Sequence, residues 1–386
     1  MEKFDVQELL QTARERTGLS DFGPPDFMEG LLVLVDGLNT EADIHPDRWN
    51  DLYERLQRLL INRLWFAKDL AAHPEIADED VGSPVIITSL PRTGSTKLHR
   101  MLGASMDFQT VPMWRAHMFA RMPGLEDGGK AERIQATRAY EQWMYQTSPA
   151  MITGHPMFTD EPEEDQWLGE ATFRHTVLFG IFNSSRYAQW VMKADMRPTY
   201  DYFLSQIKYL QWQSGPGNPL PWLLKTPNHF GNERHLTRIF KQPRFIVTHR
   251  DPAKCVPSIT TTAMGFRKLY SDFDSIAAIG AGNAQYWSWS AMEHMAWRDR
   301  HPDIQVLDLS FREITEDGVG TVRKVYDFLG MPLSDAAIEC VEEWERKNPK
   351  DKHGRGVYSA AAMGSTEDEI RQAFAPYVER FAAYLD

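Results

Sequence analysis

A chain of 386 residues with 42% hydrophobic and 12% aromatic side chains is long and apolar enough to bury a substantial core. Its formal charge of −12 and isoelectric point near 5.5 argue against nucleic acid as the main partner. Cys255 and Cys340 are too few for a disulfide framework, no apolar run has membrane length, and Met1–Thr17 lacks a secretory core. The expectation is a cytoplasmic protein with no membrane partner.

Residues 1–80 carry helical spacing, with Leu52, Leu56, Leu59 and Leu60 on one face. The β-branched run Val85-Ile86-Ile87 then predicts a buried strand over 84–89. Pro91 ends it and Gly94 permits a close backbone bend. Ser95 and Thr96 place hydroxyls where a helix leaves its first N–H groups unpaired. With Arg92 at the mouth, backbone donors, a helix start and a cation converge on one anion-binding point, suited to a phosphate or sulfate ester. The order is not that of the nucleotide-triphosphate loop, because Ser95 and Thr96 separate Gly94 from Lys97. The dinucleotide G-x-G-x-x-G pattern is absent too.

Residues 106–218 show few strand signals. They hold Met106, Met113, Trp114, Met118, Phe119, Met122, Trp143, Met144, Met151, Met157 and Phe158. As a group these predict an apolar acceptor pocket, although each alone reads as helix packing. Asp160-Glu-Pro-Glu-Glu-Asp165 is an acidic block that would also suit a helix N-terminus. A helix is expected from Pro198 through Tyr200, Phe203, Ile207 and Leu210 to near Gly215.

A short strand at 221–224 leads into Lys225-Thr-Pro-Asn-His229, and a longer one at 244–249 into Arg250-Asp251-Pro252. Asp251 can cap the next helix and Pro252 fits its first turn, so Arg250 stands at a strand end, where open α/β sheets bind ligands. Ser258 follows two turns into that helix, just after Pro257, which predicts a kink. A long helical pattern runs from Asp272 to Trp297, and a last strand is expected at 304–309. Strands alternating with helices favour parallel βαβ connections. The expected architecture is one α/β domain over 1–386, with a P-loop-like parallel sheet core (84–105 and 221–386) flanked by helices. A helical segment at 1–80 precedes it, and 106–218 is a large helical insertion on the acceptor side.

These motifs, in this order, resemble those of sulfotransferases that use 3′-phosphoadenosine 5′-phosphosulfate (PAPS), in their bacterial branch. Leu90-Pro-Arg-Thr-Gly-Ser-Thr96 is similar to the family's 5′-phosphosulfate loop, which implies donor contacts from Arg92, Thr93, Gly94, Ser95, Thr96 and Lys97. Arg250 and Ser258 look like the 3′-phosphate site, and Lys225-Thr-Pro-Asn-His229 like the lysine-bearing strand end before it. Leu307-Asp-Leu-Ser-Phe-Arg-Glu-Ile314 resembles the segment that supports adenine, with Phe311 as its aromatic. Lys352-His-Gly-Arg-Gly356 is similar to the basic loop that closes on the 3′-phosphate, implying roles for Arg355 and Gly356. The branch's histidine two residues before a tyrosine is missing, since Gly356 precedes Val357-Tyr358.

The chemistry so implied needs cations on the sulfuryl group, here Arg92 and Lys225, and a base for the acceptor proton. His229, four residues beyond Lys225, is the first candidate, although a structural histidine fits equally there. Glu163 and Glu164 are the second, with His117 and His155 behind them. The resemblance implies PAPS as cosubstrate and a small hydrophobic alcohol, phenol or steroid-like acceptor as the other partner, and no metal is expected. His229 and His235 lack zinc-helix spacing, and the acidic block lacks a calcium-loop glycine. No G-x-S-x-G elbow supports a serine hydrolase. A small-molecule kinase and a non-catalytic PAP- or PAPS-binding protein remain as alternatives. No pattern in the chain specifies an oligomer.

Overall fold

The computed structural model describes residues 3–215, 218–272, 275–349, 352, 354 and 356–385. Its centre is a four-stranded parallel sheet of β1 (Val85–Thr88), β2 (Leu223–Lys225), β3 (Arg244–His249) and β4 (Val306–Ser310), in the order β2-β1-β3-β4. Val85 pairs with Leu223 on one side and Arg244 on the other, and Phe245 pairs with Val306. These are the four strands expected from the sequence, with ends shifted by a residue or two.

The β-branched strands are covered on both faces, as a buried parallel sheet requires. Ile86, Leu224 and Phe245 face a large cluster that includes Leu31, Leu56 and Leu60 of the N-terminal helices. Val85, Ile87, Leu223 and Ile246 face Leu98 and Met101 of the helix after β1, with Val322 and Val325 beyond. This alternation is the period-two pattern of a strand.

The N-terminal leucine stripe lies on the helix Trp49–Ala72, and Leu52, Leu56, Leu59 and Leu60 are all buried. From the same helix Arg55 and Arg58 both pair with Glu170, so the N-terminal segment is stapled to the central insertion by a buried ion cluster. That insertion forms several short helices and two longer ones, Lys130–Thr147 and Arg197–Gln213.

One expectation is corrected here. Met113, Met118, Phe119, Met144, Met151 and Met157 are buried core residues, and Met106 is 73% exposed. None of the eleven methionines and aromatics expected to form the acceptor pocket lines the main cavity. Helices in this region are short, so most of these side chains pack one against the next, and the region lines the cavity instead through Trp167, Val177, Phe179 and Ile181.

The sheet order places β1 at a topological switch. The chain leaves β1 to one side for β2, then crosses back to β3 on the other side, opening a crevice at the strands' C-terminal ends. The helices Ser95–Ala104 and Pro252–Arg267 rise from that crevice. Pro257 removes one hydrogen bond from the second helix, yet the helix continues through it to Arg267.

Candidate active site

The loop after β1 is shaped by two residues with left-handed backbone. Gly94 has φ +85°, and a Cβ there would stand 3.2 Å from the Phe311 ring and 3.4 Å from Ile314, so glycine is required both by conformation and by space. Arg92 adopts φ 71° without being glycine, a strained conformation of the kind found at binding loops. The helix Ser95–Ala104 starts at Gly94 with no side-chain cap, leaving its first N–H groups without the usual side-chain partner.

Charged groups surround that helix start. Arg250 Nη1 donates to the Arg92 carbonyl at 3.1 Å, bridging the loops after β1 and β3. Its guanidinium lies 4.0 Å over the Phe311 ring, and its Nε has no partner among the described residues. Arg92 Nε donates to Ser258 Oγ at 3.0 Å. Lys225, 1% exposed at the end of β2, donates from Nζ to Thr96 Oγ1 at 3.0 Å and to Glu164 Oε1 at 2.7 Å.

All of these groups except Lys225 border a cavity of about 620 Å³. One end is lined by Arg92, Gly94, Ser95, Thr96, Arg250, Ser258, Phe311 and Gly356, the other by Val177, Phe179, Ile181, Phe266, Tyr286 and Trp287. Glu164, His155 and Trp167 lie on the wall as well.

Other expected site residues are placed elsewhere. Thr93 is fully buried under the loop, its hydroxyl 2.6 Å from that of Thr248. Lys97 turns outward to Glu345 at 2.7 Å. Lys225 stands one hydrogen bond behind the cavity wall, covered by Thr96 and Glu164. His229 is buried and does not line the cavity; Nδ1 meets Tyr200 OH at 3.2 Å, and Nε2 lies 3.0 Å from Asp165 Oδ1. Glu163 is 2% exposed and likewise behind the wall, 3.1 Å from His155 Nε2 and 3.5 Å from Arg100 Nη2. Arg355 and His353 lie outside the described residues.

Charge behind the wall is balanced. Burial alone would raise the Glu163 carboxyl, but His155, Lys225 and Arg100 more than offset it and hold it below the usual carboxylate range. Burial, with Lys225 beside it, pushes the His99 imidazole down to about 3, so it stays neutral. His155, Glu163 and Glu164 bring ligand-type atoms within 4.8 Å of one another. Both carboxylates are already paired, Glu163 with Arg100 and Glu164 with Lys225, which fits an ion-pair network better than a metal centre.

The sulfotransferase family profile matches residues 84–335, which takes in the crevice, all four strands and most of the cavity wall, Gly354, Gly356 and Tyr358 lying beyond it. The chain belongs to the sulfotransferase family. Sulfotransferase STF9 from Mycobacterium avium has the same fold at a TM-score of 0.84, with 23% identity and 98% of each chain covered. Sulfotransferase STF1 from Mycobacterium tuberculosis H37Rv superposes at 0.77, with 26% identity over 97% of this chain and 99% of that one. No curated protein sequence gives a significant match. No helix among the described residues is long and apolar enough to cross a membrane.

In this sulfotransferase the apolar wall of the cavity went unread in the sequence. Val177, Phe179 and Ile181 come from one short helical turn, Val177–Ile181, and its end. Phe266 and Trp287 come from two long helices far apart in the chain. The one available signal was local: Tyr286-Trp287 and Phe266 lie on helices that follow the recognisable Arg250 loop.

Proposed function

We propose that this chain transfers a sulfuryl group from PAPS to the hydroxyl of a small, apolar alcohol or phenol. The observation that carries the reading is a single cavity with an anion-binding end and an apolar end. At the first end, an uncapped helix start, Arg92 and Arg250 border the space, and Lys225 stands one hydrogen bond behind. The second end has four aromatic rings and aliphatic side chains, and no cation among the described residues that line it.

The residues present suit a donor that carries phosphates at two positions. The helix N–H groups, with Ser95 and Thr96, would hold the 5′-phosphosulfate. Arg250 and Ser258 would take the 3′-phosphate, and Phe311 would stack on the adenine. Lys225 would neutralise charge that grows on the bridging oxygen as the bond to sulfur breaks. Apolar walls would hold the acceptor in line and keep water out, so that transfer exceeds hydrolysis. A base at the boundary between the two ends, where Glu164 and His155 line the cavity, would complete the chemistry.

Incubating the protein with ³⁵S-labelled PAPS and a panel of naphthols, phenols and long-chain alcohols tests this reading. Label should move to at least one apolar acceptor. Transfer of phosphate from ATP instead, or label released only as sulfate, would overturn it.

A further inference from the structure

We infer that His155 takes the acceptor proton and that Glu163 is the positioning residue that orients it. The inference rests on the sulfuryl-transfer reading above. His155 lines the cavity where the charged and apolar ends meet, with the Phe266 ring centred 6.2 Å from its own. Its Nε2 lies 3.1 Å from Glu163 Oε1. A buried carboxylate there fixes the proton on Nε2, which leaves Nδ1 as the basic nitrogen. No described residue hydrogen-bonds Nδ1.

The rival groups are already engaged. Glu164 accepts from Lys225 through Oε1 and from Gln166 through Oε2, so each of its oxygens already has a donor, one of them a cation. His229 has Tyr200 and Asp165 at its two nitrogens and no access to the cavity. Titratable groups face His155 from several elements. Glu163 and Glu164 come from its own connecting loop, and around Glu163 stand Arg100 and His99 from the helix after β1, Lys225 from β2, and Tyr145 from the helix Lys130–Thr147. The helix Pro252–Arg267 contributes Phe266 beside the ring and Thr262 next to the neighbouring Gly154, neither of them titratable in the working range.

In the step so assigned, the acceptor oxygen forms its bond to sulfur while its proton passes to His155 Nδ1. The bond from sulfur to the 5′-phosphate oxygen breaks, and that oxygen leaves with the electron pair on adenosine 3′,5′-bisphosphate (PAP). Glu163 stabilises the imidazolium. This is the role of the carboxylate in a nucleophile–histidine–carboxylate array, with the acceptor hydroxyl as nucleophile.

Two phenols separate this role from a structural one. His155→Asn should retain PAP affinity yet lower kcat with 2-naphthol by about 100-fold or more. With 4-nitrophenol at pH 8, already ionised and in no need of a base, the loss should be far smaller. Glu163→Gln should move the acid limb of kcat to lower pH, because an imidazolium without its anion loses its proton more readily. Equal losses with both phenols, or an unmoved acid limb, would overturn the assignment. If the wild type binds PAP but sulfates neither phenol, histidine-labelled NMR of Glu163→Gln decides, since an unchanged His155 titration again overturns it. Failure of the wild type to bind PAP is a failure of the donor reading itself, and the dyad falls with it.

Discussion

The two ends of the cavity are built in different ways. The anion-binding end is made at strand C-termini by short continuous segments: the loop after β1, Lys225 at the end of β2 and Arg250 after β3. Backbone N–H groups and a glycine with a fixed conformation do much of the work there, and such features leave a linear pattern. The apolar end is assembled from side chains of helices distant in sequence, chosen for shape rather than chemistry. One end is specified by local geometry, the other by how the helices pack. Substitutions in the first should alter donor binding and the transfer step, and those in the second the choice of acceptor.

The largest effect should come from Lys225. Lys225→Ala should lower kcat by about 10²–10³-fold while PAP affinity changes little, as expected for a cation that acts on charge formed in the transition state. Steady-state kinetics beside calorimetry would check it, and an equal loss in binding would make Lys225 a simple anchor. Arg250→Ala should instead weaken PAP binding by about 10–100-fold, the worth of a charged hydrogen-bonded contact. Unchanged affinity would remove Arg250 from the 3′-phosphate.

The scaffold of the anion-binding end has its own signature. Asp308 on β4 holds His249, the residue before Arg250, at 2.9 Å and pairs with Arg298 at 2.7 Å. Burial would raise its carboxyl, but these partners bring it down to about 2. A carboxyl depressed in the folded state stabilises the fold above its unfolded value of about 3.9, and that contribution is lost as pH falls towards the folded one. Asp308→Asn should therefore cost about 2 kcal/mol at pH 7 by denaturant titration, and the difference should vanish near the folded value. A constant difference down to that pH would show that the loss comes from packing.

Phe266→Ala should have the smallest effect, raising acceptor KM by about fivefold through lost apolar contact and leaving PAP affinity intact. A change in PAP affinity would mean the two ends are not separable.

What could be read in the sequence follows the same division. Val85-Ile86-Ile87 and Phe245-Ile246-Val247 announced buried strands, and Gly94 announced a turn that only glycine fits. Arg92, Arg250 and Ser258 each lie at a fixed offset from a strand end, and the fold brings all three to one cavity. Residue type alone did not show that others stand off the cavity. Lys97 is basic and next to the loop, but its position on the helix turns it to Glu345. His229 follows Lys225 closely, yet the turn Pro227–His229 carries its ring inward to Tyr200 and Asp165. His155 becomes prominent only when folding brings Glu163 against it. The methionine-rich stretch shows the limit of composition, because an apolar side chain in the core and one on a cavity wall look alike in a sequence.

The most direct test of the account is calorimetric titration of the wild type and Arg250→Ala with PAP, using AMP and ATP as controls. The account predicts tight binding of PAP that depends on the 3′-phosphate, exceeds that of AMP and ATP, and falls in the variant. Binding of ATP in preference to PAP, or PAP binding indifferent to Arg250, would contradict it.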